Sequence, residues 1–331
     1  QKSDLEKAAF KTDDPIEEMG IKQDVIATPI SKMVKDCLAD TGMDNKSMLK
    51  CRNMFAVGLV CWLFNRDLTI AEDFIREKFA KKPEIAEANI KVIRAGYDYG
   101  HNTHASVAHT YKIESKVKTP GRYMDITGNK ATAYGFIAAA EKAGLKLYLG
   151  SYPITPATDV LHELSKHKSL GVMTVQCEDE ISGCASAVGA SFAGALAVTS
   201  TSGPGICLKS EAMNLAVIME LPLVVLDVQR GGPATGLPTK SEQTDLLQVL
   251  FGRNGESPMP VLAATSPTDC FECAYMASKI ALEHMTPVVL LTDAFVANGS
   301  AAWKLPKLAD YPVIVPPYVR PEMQGSWTPY Q

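Results

Sequence analysis

The chain predicts an α/β fold, a doubly wound parallel sheet over residues 128–306, preceded by part of a smaller domain over residues 1–118. Three observations carry that reading. Short, almost continuously apolar runs such as LPLVVLDVQ and PVVLLTD recur after residue 127, the pattern of strands covered on both faces. Runs rich in Ala, Gly and Ser at helical spacing separate them, which implies a parallel sheet covered by helices on both faces. The first 118 residues have a different texture, richer in Lys, Glu and helix-forming stretches such as PISKMVKDCLADTG and TIAEDFIREKFAKK.

The elements follow in order. MFAVGLVCWLF (54–64) is too short to span a bilayer, is flanked by Arg52 and Arg66, and reads as a buried helix. The boundary SKVKTPGRYMDITGNKA (115–131) carries Pro120, Gly121 and Gly128 as breakers, so 119–127 is expected to be a linker and 307–331 a tail. ATAYGFIAAAEKAG is a helix closed by Gly144, followed by strand LKLYLGSY, a helix after Pro156 and strand GVMTVQC. Helix EISGCASAVGASFAG, strand ALAVTSTS, a GPG loop, a helix through Met219 and strand LPLVVLDVQ come next. VLAAT, a helix over 267–284 with Asp269 as its cap, and PVVLLTD complete the sheet.

Composition narrows the function classes. A net charge of −4 gives no support for nucleic-acid binding. The chain starts at Gln1 with no signal-peptide pattern, and eight scattered cysteines inside apolar segments suit a reduced, cytoplasmic protein. CFEC (270–273) has no second pair to complete a metal or cluster site and reads as helix. The histidines of HNTHASVAH (101–109) have no Cys or carboxylate beside them, so a surface loop is expected there rather than zinc.

Ligands of parallel sheets bind at the carboxyl ends of strands. The loops at that edge are YPITPATD, CEDEISG, TSTSGPGICLKS and QRGGPATGLPTK. GPGICLKS mimics a phosphate loop but has Leu208 before Lys209, where the cradle needs a second glycine. Gly183, Ala187, Ala190 and Gly194 form a small-residue stripe, which suits either packing on the chain's own sheet or a close interface with a second chain. Glu178, Asp179 and Glu180 are three acids at one helix start. Capping and the helix dipole account for one, at about 0.3–1 kcal/mol. Three in succession exceed what capping needs, and a carboxylate buried there against a ligand nitrogen would have a role.

YPITPATD, EDEISGCASAVGASFAGALAVTSTSGPG, VQRGGPATGLPTKSEQTDL and GRNGESPMPVLAA resemble the alpha subunit of 2-oxoacid:ferredoxin oxidoreductases, most of all its 2-oxoglutarate branch. The resemblance runs from Gly128 to Pro306. CRNMFAVGL, KPEIAEAN and AGYDYG resemble the end of the gamma-type domain fused ahead of it. Family chains continue past both ends, which makes this chain part of a longer subunit.

The resemblance implies that residues 128–306 are the thiamine diphosphate pyrimidine-binding domain of an enzyme whose cofactor lies between two chains. The beta subunit would hold the diphosphate, its Mg2+ and a [4Fe-4S] cluster. The absence of any Asp-Gly dipeptide agrees, since the metal-diphosphate signature begins Gly-Asp-Gly. By the family's motif Glu180 is the acid that hydrogen-bonds N1′ of the aminopyrimidine, with Tyr152, Pro153, Ile154, Thr155, Ser202 and Gly203 around the cofactor. Thr155 and Arg230 take the family's positions for the substrate carboxylate. A second carboxylate, as in 2-oxoglutarate, needs another cation, and Lys240 and Arg253 lie near the motif loops. The implied reaction is the CoA-dependent oxidative decarboxylation of 2-oxoglutarate with electrons passing to ferredoxin, or its reverse, in an alpha–beta or doubled assembly. The competing expectations are the same chemistry on pyruvate or branched-chain 2-oxoacids, and a non-catalytic scaffold subunit.

Overall fold

A computed structural model describes residues 2–12, 14–23, 25–103, 110–114, 119–319, 321–323 and 325–328. The chain divides into two compact units, Gln1–Thr119 and Pro120–Gln331. Most of the histidine-rich stretch 101–109 lies outside the described residues.

The first unit is helical: α1 Lys2–Lys7, α2 Pro15–Glu18, α3 Ile30–Leu38, α4 Asn45–Lys50, α5 Arg52–Leu63, α6 Thr69–Lys78 and α7 Pro83–Asn102. Helix α5, expected to be buried, buries Phe55, Gly58 and Trp62 but leaves Val57 and Val60 exposed. Its closest neighbour is α7. A methyl group on Gly58 would lie 1.9 Å from the Ile93 carbonyl oxygen, and one on Gly96 2.1 Å from that of Phe55. Two backbones meet where neither helix has a side chain. Between α6 and α7, buried Glu72 accepts from Arg94 Nε and Nη2, both at 2.7 Å.

The second unit runs β1 Tyr123–Thr127, α8 Gly128–Ala143, β2 Leu147–Ser151, α9 Thr158–Leu164, β3 Val172–Gln176, α10 Glu180–Phe192, β4 Leu196–Thr201, α11 Pro204–Leu208, α12 Ser210–Ile218, β5 Leu223–Gln229, α13 Leu246–Phe251, β6 Val261–Ala263, α14 Asp269–His284, β7 Pro287–Asp293, α15 Ala294–Asn298 and β8 Ser300–Lys304. Among the described residues the main sheet orders β3-β2-β4-β5-β7-β6, with every pair parallel. One face packs on α8, α9 and α14 through Leu149, Val198, Leu226 and Leu290. The other packs on α10, α12 and α13 through Ala197, Val225, Val289 and Leu291. This is the doubly wound sheet, and strand alternation creates both cores from the same strands.

Four local differences from the sequence reading have physical causes. The segment expected to be a linker contains β1, because Tyr123–Thr127 pairs antiparallel with Ser300–Lys304. The start of the expected tail belongs to the core: Ile314 is buried and Tyr311 packs against Phe271 and Tyr275. Asp269 is the first helical residue of α14 rather than its cap; its carboxylate turns back to the Thr265 amide and hydroxyl at 2.8 and 2.9 Å. The GPG segment is not simply a loop, since Pro204 opens α11 after Gly203 turns at φ +35°. Gly144 closes α8 in the left-handed conformation, as its position foretold.

Candidate active site

The strand order reverses between β2 and β4, and the carboxyl ends of those strands meet there. Ser151, the last residue of β2, donates to the Ser200 carbonyl at 3.1 Å and lies 2.8 Å from the Ser200 hydroxyl. These bonds pin the YPITP loop beside the TSTSGPG loop.

The three acids at the start of α10 divide their roles. Glu178 is exposed. Asp179 is the N-cap: it accepts from the Ser182 amide at 2.7 Å, and the Ser182 hydroxyl accepts from the Asp179 amide at 3.3 Å, a reciprocal capping box. Glu180, the first helical residue, is buried at 9% exposure. It lies against α11, for a methyl group on Gly205 would come 2.9 Å from its Cγ and 3.3 Å from Oε1. The helix therefore needs only Asp179, and Glu180 is surplus to capping.

Around Gly203 a second group of candidates gathers. A methyl group on Gly203 would lie 3.5 Å from Arg230 Cγ. Arg230, itself buried, donates from Nη1 to the Thr155 carbonyl at 2.8 Å and to the Thr239 hydroxyl at 3.4 Å. The loop carrying Arg230 closes on itself through the Gly231 amide and the Lys240 carbonyl at 2.9 Å, which leaves the Lys240 side chain exposed. Thr155 and Tyr152 are exposed, Pro153 and Ile154 half-buried, and Ser202 and Gly203 buried. The Ser202 hydroxyl and the Thr201 hydroxyl are buried without a hydrogen-bond partner, so this edge keeps polar atoms for a ligand.

Arg253 does not join them. Its guanidinium donates to the Ser257 hydroxyl at 3.3 Å, the Ser257 carbonyl at 2.7 Å and the Val249 carbonyl. It braces the turn between α13 and the amino end of β6. Nearness in sequence to the motif loops misplaced it.

The sequence also underrated three buried polar groups. Lys209 is fully buried, and its ammonium donates to the Glu180 carbonyl and the Thr199 hydroxyl, each at 3.0 Å. Burial pushes its pKa below the ordinary lysine value, and the neighbouring Cys184, Glu180, Cys177 and Asp179 work against that. Asp227 in β5 and Asp245 at the end of the Arg230 loop face one another beside the Gly203 amide. Burial holds both carboxyls above the ordinary carboxylate range; the Asp245 charge raises Asp227 further, whereas the contacts from Asp227 and Thr244 work against burial at Asp245. A lone Asp inside LVVLDVQ was the available signal.

The small-residue stripe serves the chain's own sheet. A methyl group on Gly183 would sit 3.2 Å from the Ser151 backbone, and Ala187 is buried on β4 and β5 neighbours. Gly194 lies past the helix end with open space around it.

The comparisons with known proteins fit this architecture. The thiamine-diphosphate-binding model of pyruvate flavodoxin/ferredoxin oxidoreductase matches residues 138–326, and a second pyruvate ferredoxin/flavodoxin oxidoreductase model matches 6–99. The chain belongs to the pyruvate ferredoxin/flavodoxin oxidoreductase family. It is 52% identical over 321 residues to a 2-oxoglutarate oxidoreductase subunit KorA of Mycobacterium tuberculosis, covering 97% of this chain and 49% of that one. A 2-oxoglutarate synthase subunit KorA of Archaeoglobus fulgidus is 40% identical over 56% of this chain and 52% of its own. A solved 2-oxoglutarate:ferredoxin oxidoreductase from Magnetococcus marinus, with 2-oxoglutarate, coenzyme A and succinyl-CoA bound, superposes with a TM-score of 0.74 at 33% identity, over 87% of this chain and 48% of that one. The chain thus spans about half the length of the relatives it matches. No helix among the described residues is long and apolar enough to cross a membrane.

Proposed function

We propose that this chain is the cofactor-facing part of the alpha subunit of a 2-oxoglutarate:ferredoxin oxidoreductase of the cytoplasm, converting 2-oxoglutarate and CoA to succinyl-CoA and carbon dioxide with electrons passing to ferredoxin, or running the reverse carboxylation. The observation that carries the reading is Glu180: a buried acid that the helix does not need, at the switch point of a parallel sheet. The names of its relatives supply the substrate.

The residues present suit an aminopyrimidine. Glu180 shares a proton with N1′ of the ring, in the role of a positioned acid–base group. Tyr152, Pro153 and Ile154 would line the ring and exclude water, while Ser202 and Gly203 would offer a buried hydroxyl and a close backbone approach. Bound thiamine diphosphate supplies the nucleophilic carbon for addition to the 2-oxo group. Thr155 and Arg230 would hold the carboxylate of the 2-oxoacid, and exposed Lys240 would take the distal carboxylate of 2-oxoglutarate. Arg253 has no part in this reading. The partner beta subunit holds the diphosphate, Mg2+ and the [4Fe-4S] cluster.

The test is CoA-dependent reduction of a viologen dye by the complete complex, with 2-oxoglutarate and pyruvate run side by side. Turnover on 2-oxoglutarate, lost by roughly 10²–10⁴-fold in Glu180→Gln, is the expected result. Preference for pyruvate overturns the substrate assignment, and full activity of Glu180→Gln overturns the site.

A further inference from the structure

Beyond Gly203, the motif GPGICLKS is not absorbed by the reading above. Two of its residues, Gly205 and Lys209, lie against Glu180. Gly205 presents bare backbone to the Glu180 side chain, where a methyl group would approach Cγ to 2.9 Å and Thr201 Oγ1 to 2.0 Å. One helical turn later, Lys209 reaches from the junction of α11 and α12 to the Glu180 carbonyl at 3.0 Å, and to the Thr199 hydroxyl of β4 at the same distance. The Lys209 amide in turn donates to the Gly205 carbonyl at 3.2 Å, so both contacts come from a single turn of chain.

A fully buried ammonium is expensive. Burial disfavours the charged form, and an apolar side chain of similar length would fill the space without that cost. The ammonium is spent on a main-chain oxygen of the first helical residue of α10. That choice has a consequence. Held by its main-chain carbonyl, Glu180 keeps its carboxyl group for a ligand, whereas direct pairing would engage it.

We propose that Gly205 and Lys209 form a clamp that positions Glu180, with Lys209 as the positioning residue that ties the first turn of α10 to β4. This rests on the reading of Glu180 as the acid facing the aminopyrimidine. The clamp turns the phosphate-loop mimic into a support for that acid.

The test uses the complete complex. Lys209→Met is expected to raise amide exchange over residues 180–186 at least tenfold, and to lower kcat about 10–100-fold while the KM for the 2-oxoacid stays within about twofold, the size of effect that misplacing one reacting group produces. Thr199→Val, which removes the second anchor of the ammonium, gives the same changes at smaller size and carries the test if Lys209→Met does not assemble. A double-mutant cycle decides whether the effect runs through Glu180: adding Lys209→Met to Glu180→Gln should lower kcat no further. Wild-type exchange and kcat in either clamp variant overturns the proposal, as do additive losses in the cycle. Full activity of Glu180→Gln alone marks failure of the underlying reading instead, while the exchange result still reports on the clamp.

Discussion

The Arg230 guanidinium donates to the Thr155 carbonyl at 2.8 Å, joining two loops that lie 75 residues apart in sequence. The bond sets the YPITP loop against the QRGGP loop and fixes one edge of the candidate site. Hydrogen bonds to charged groups contribute about 1.5–3 kcal/mol, or roughly 10–150-fold in an equilibrium. Arg230→Met should lower kcat/KM for the 2-oxoacid by about that factor while thiamine diphosphate affinity stays within a few-fold. Arg230→Lys should recover little, because one ammonium cannot serve both Thr155 and a planar carboxylate. Steady-state kinetics and a cofactor titration on the same complexes separate the two effects, and an unchanged kcat/KM in Arg230→Met would remove the residue from substrate binding.

Asp227 and Asp245 predict an inverted pH dependence. Both carboxyls are raised by burial, so the folded chain keeps a proton that the unfolded chain releases above the ordinary aspartate value of 3.8. The folded state binds more protons in that window, and stability falls as pH rises through it. Asp227→Asn removes the penalty while keeping the shape. Its melting temperature should match or trail wild type near pH 4 and exceed it near pH 8. About 1 kcal/mol corresponds to roughly 2–4 °C for a unit of this size. An advantage that shrinks with rising pH would contradict the proton-sharing pair.

Glu72 predicts the opposite slope in the first unit. The hydrogen bonds from Arg94 hold its carboxyl below the ordinary value of 4.5 against the effect of burial. Its contribution is present above that value and is lost as pH falls through the folded one. Thermal melts of wild type between pH 3 and 7 should show this loss, and Glu72→Gln should flatten it. Because Arg94 is half exposed, added salt should weaken the difference.

Helices α5 and α7 predict intolerance of a single methyl group. Gly58→Ala would place carbon 1.9 Å from the Ile93 carbonyl oxygen and 2.8 Å from the Tyr97 amide nitrogen, both backbone atoms that yield only if the helices part. A cost of about 1–3 kcal/mol or more is expected. Hydrogen exchange should rise in α5 and α7 and stay unchanged in the sheet of the second unit. A variant with wild-type protection in both helices would show that they separate easily.

Much of the second unit was legible because period and punctuation agree there. Apolar runs bounded by small-residue helices gave the parallel strands, and Gly144 marked a helix end through its left-handed backbone. Strands β1 and β8 were not legible, since each is made by pairing with the other rather than by its own pattern. The candidate site divides in the same way. Thr155 and Arg230 sit in loops of unusual composition and Glu180 directly follows one, whereas Arg253 drew attention by sequence proximity and turned out to hold a turn.

By itself the sequence determined the alternation of strand and helix, the edge of the sheet where a ligand belongs, and a surplus of acid at one helix start. Those are local properties, written in periodicity and in residue chemistry. The family's motif singled out Glu180 among the three acids, but only the tertiary structure supplied the physical reason, because it depends on Ser182 satisfying Asp179 and on α11 covering Glu180. It also turned Lys209 from a failed phosphate-loop residue into a buried cation on the Glu180 carbonyl. Burial and partner are long-range quantities, set by which strands lie side by side, and no window of sequence contains them.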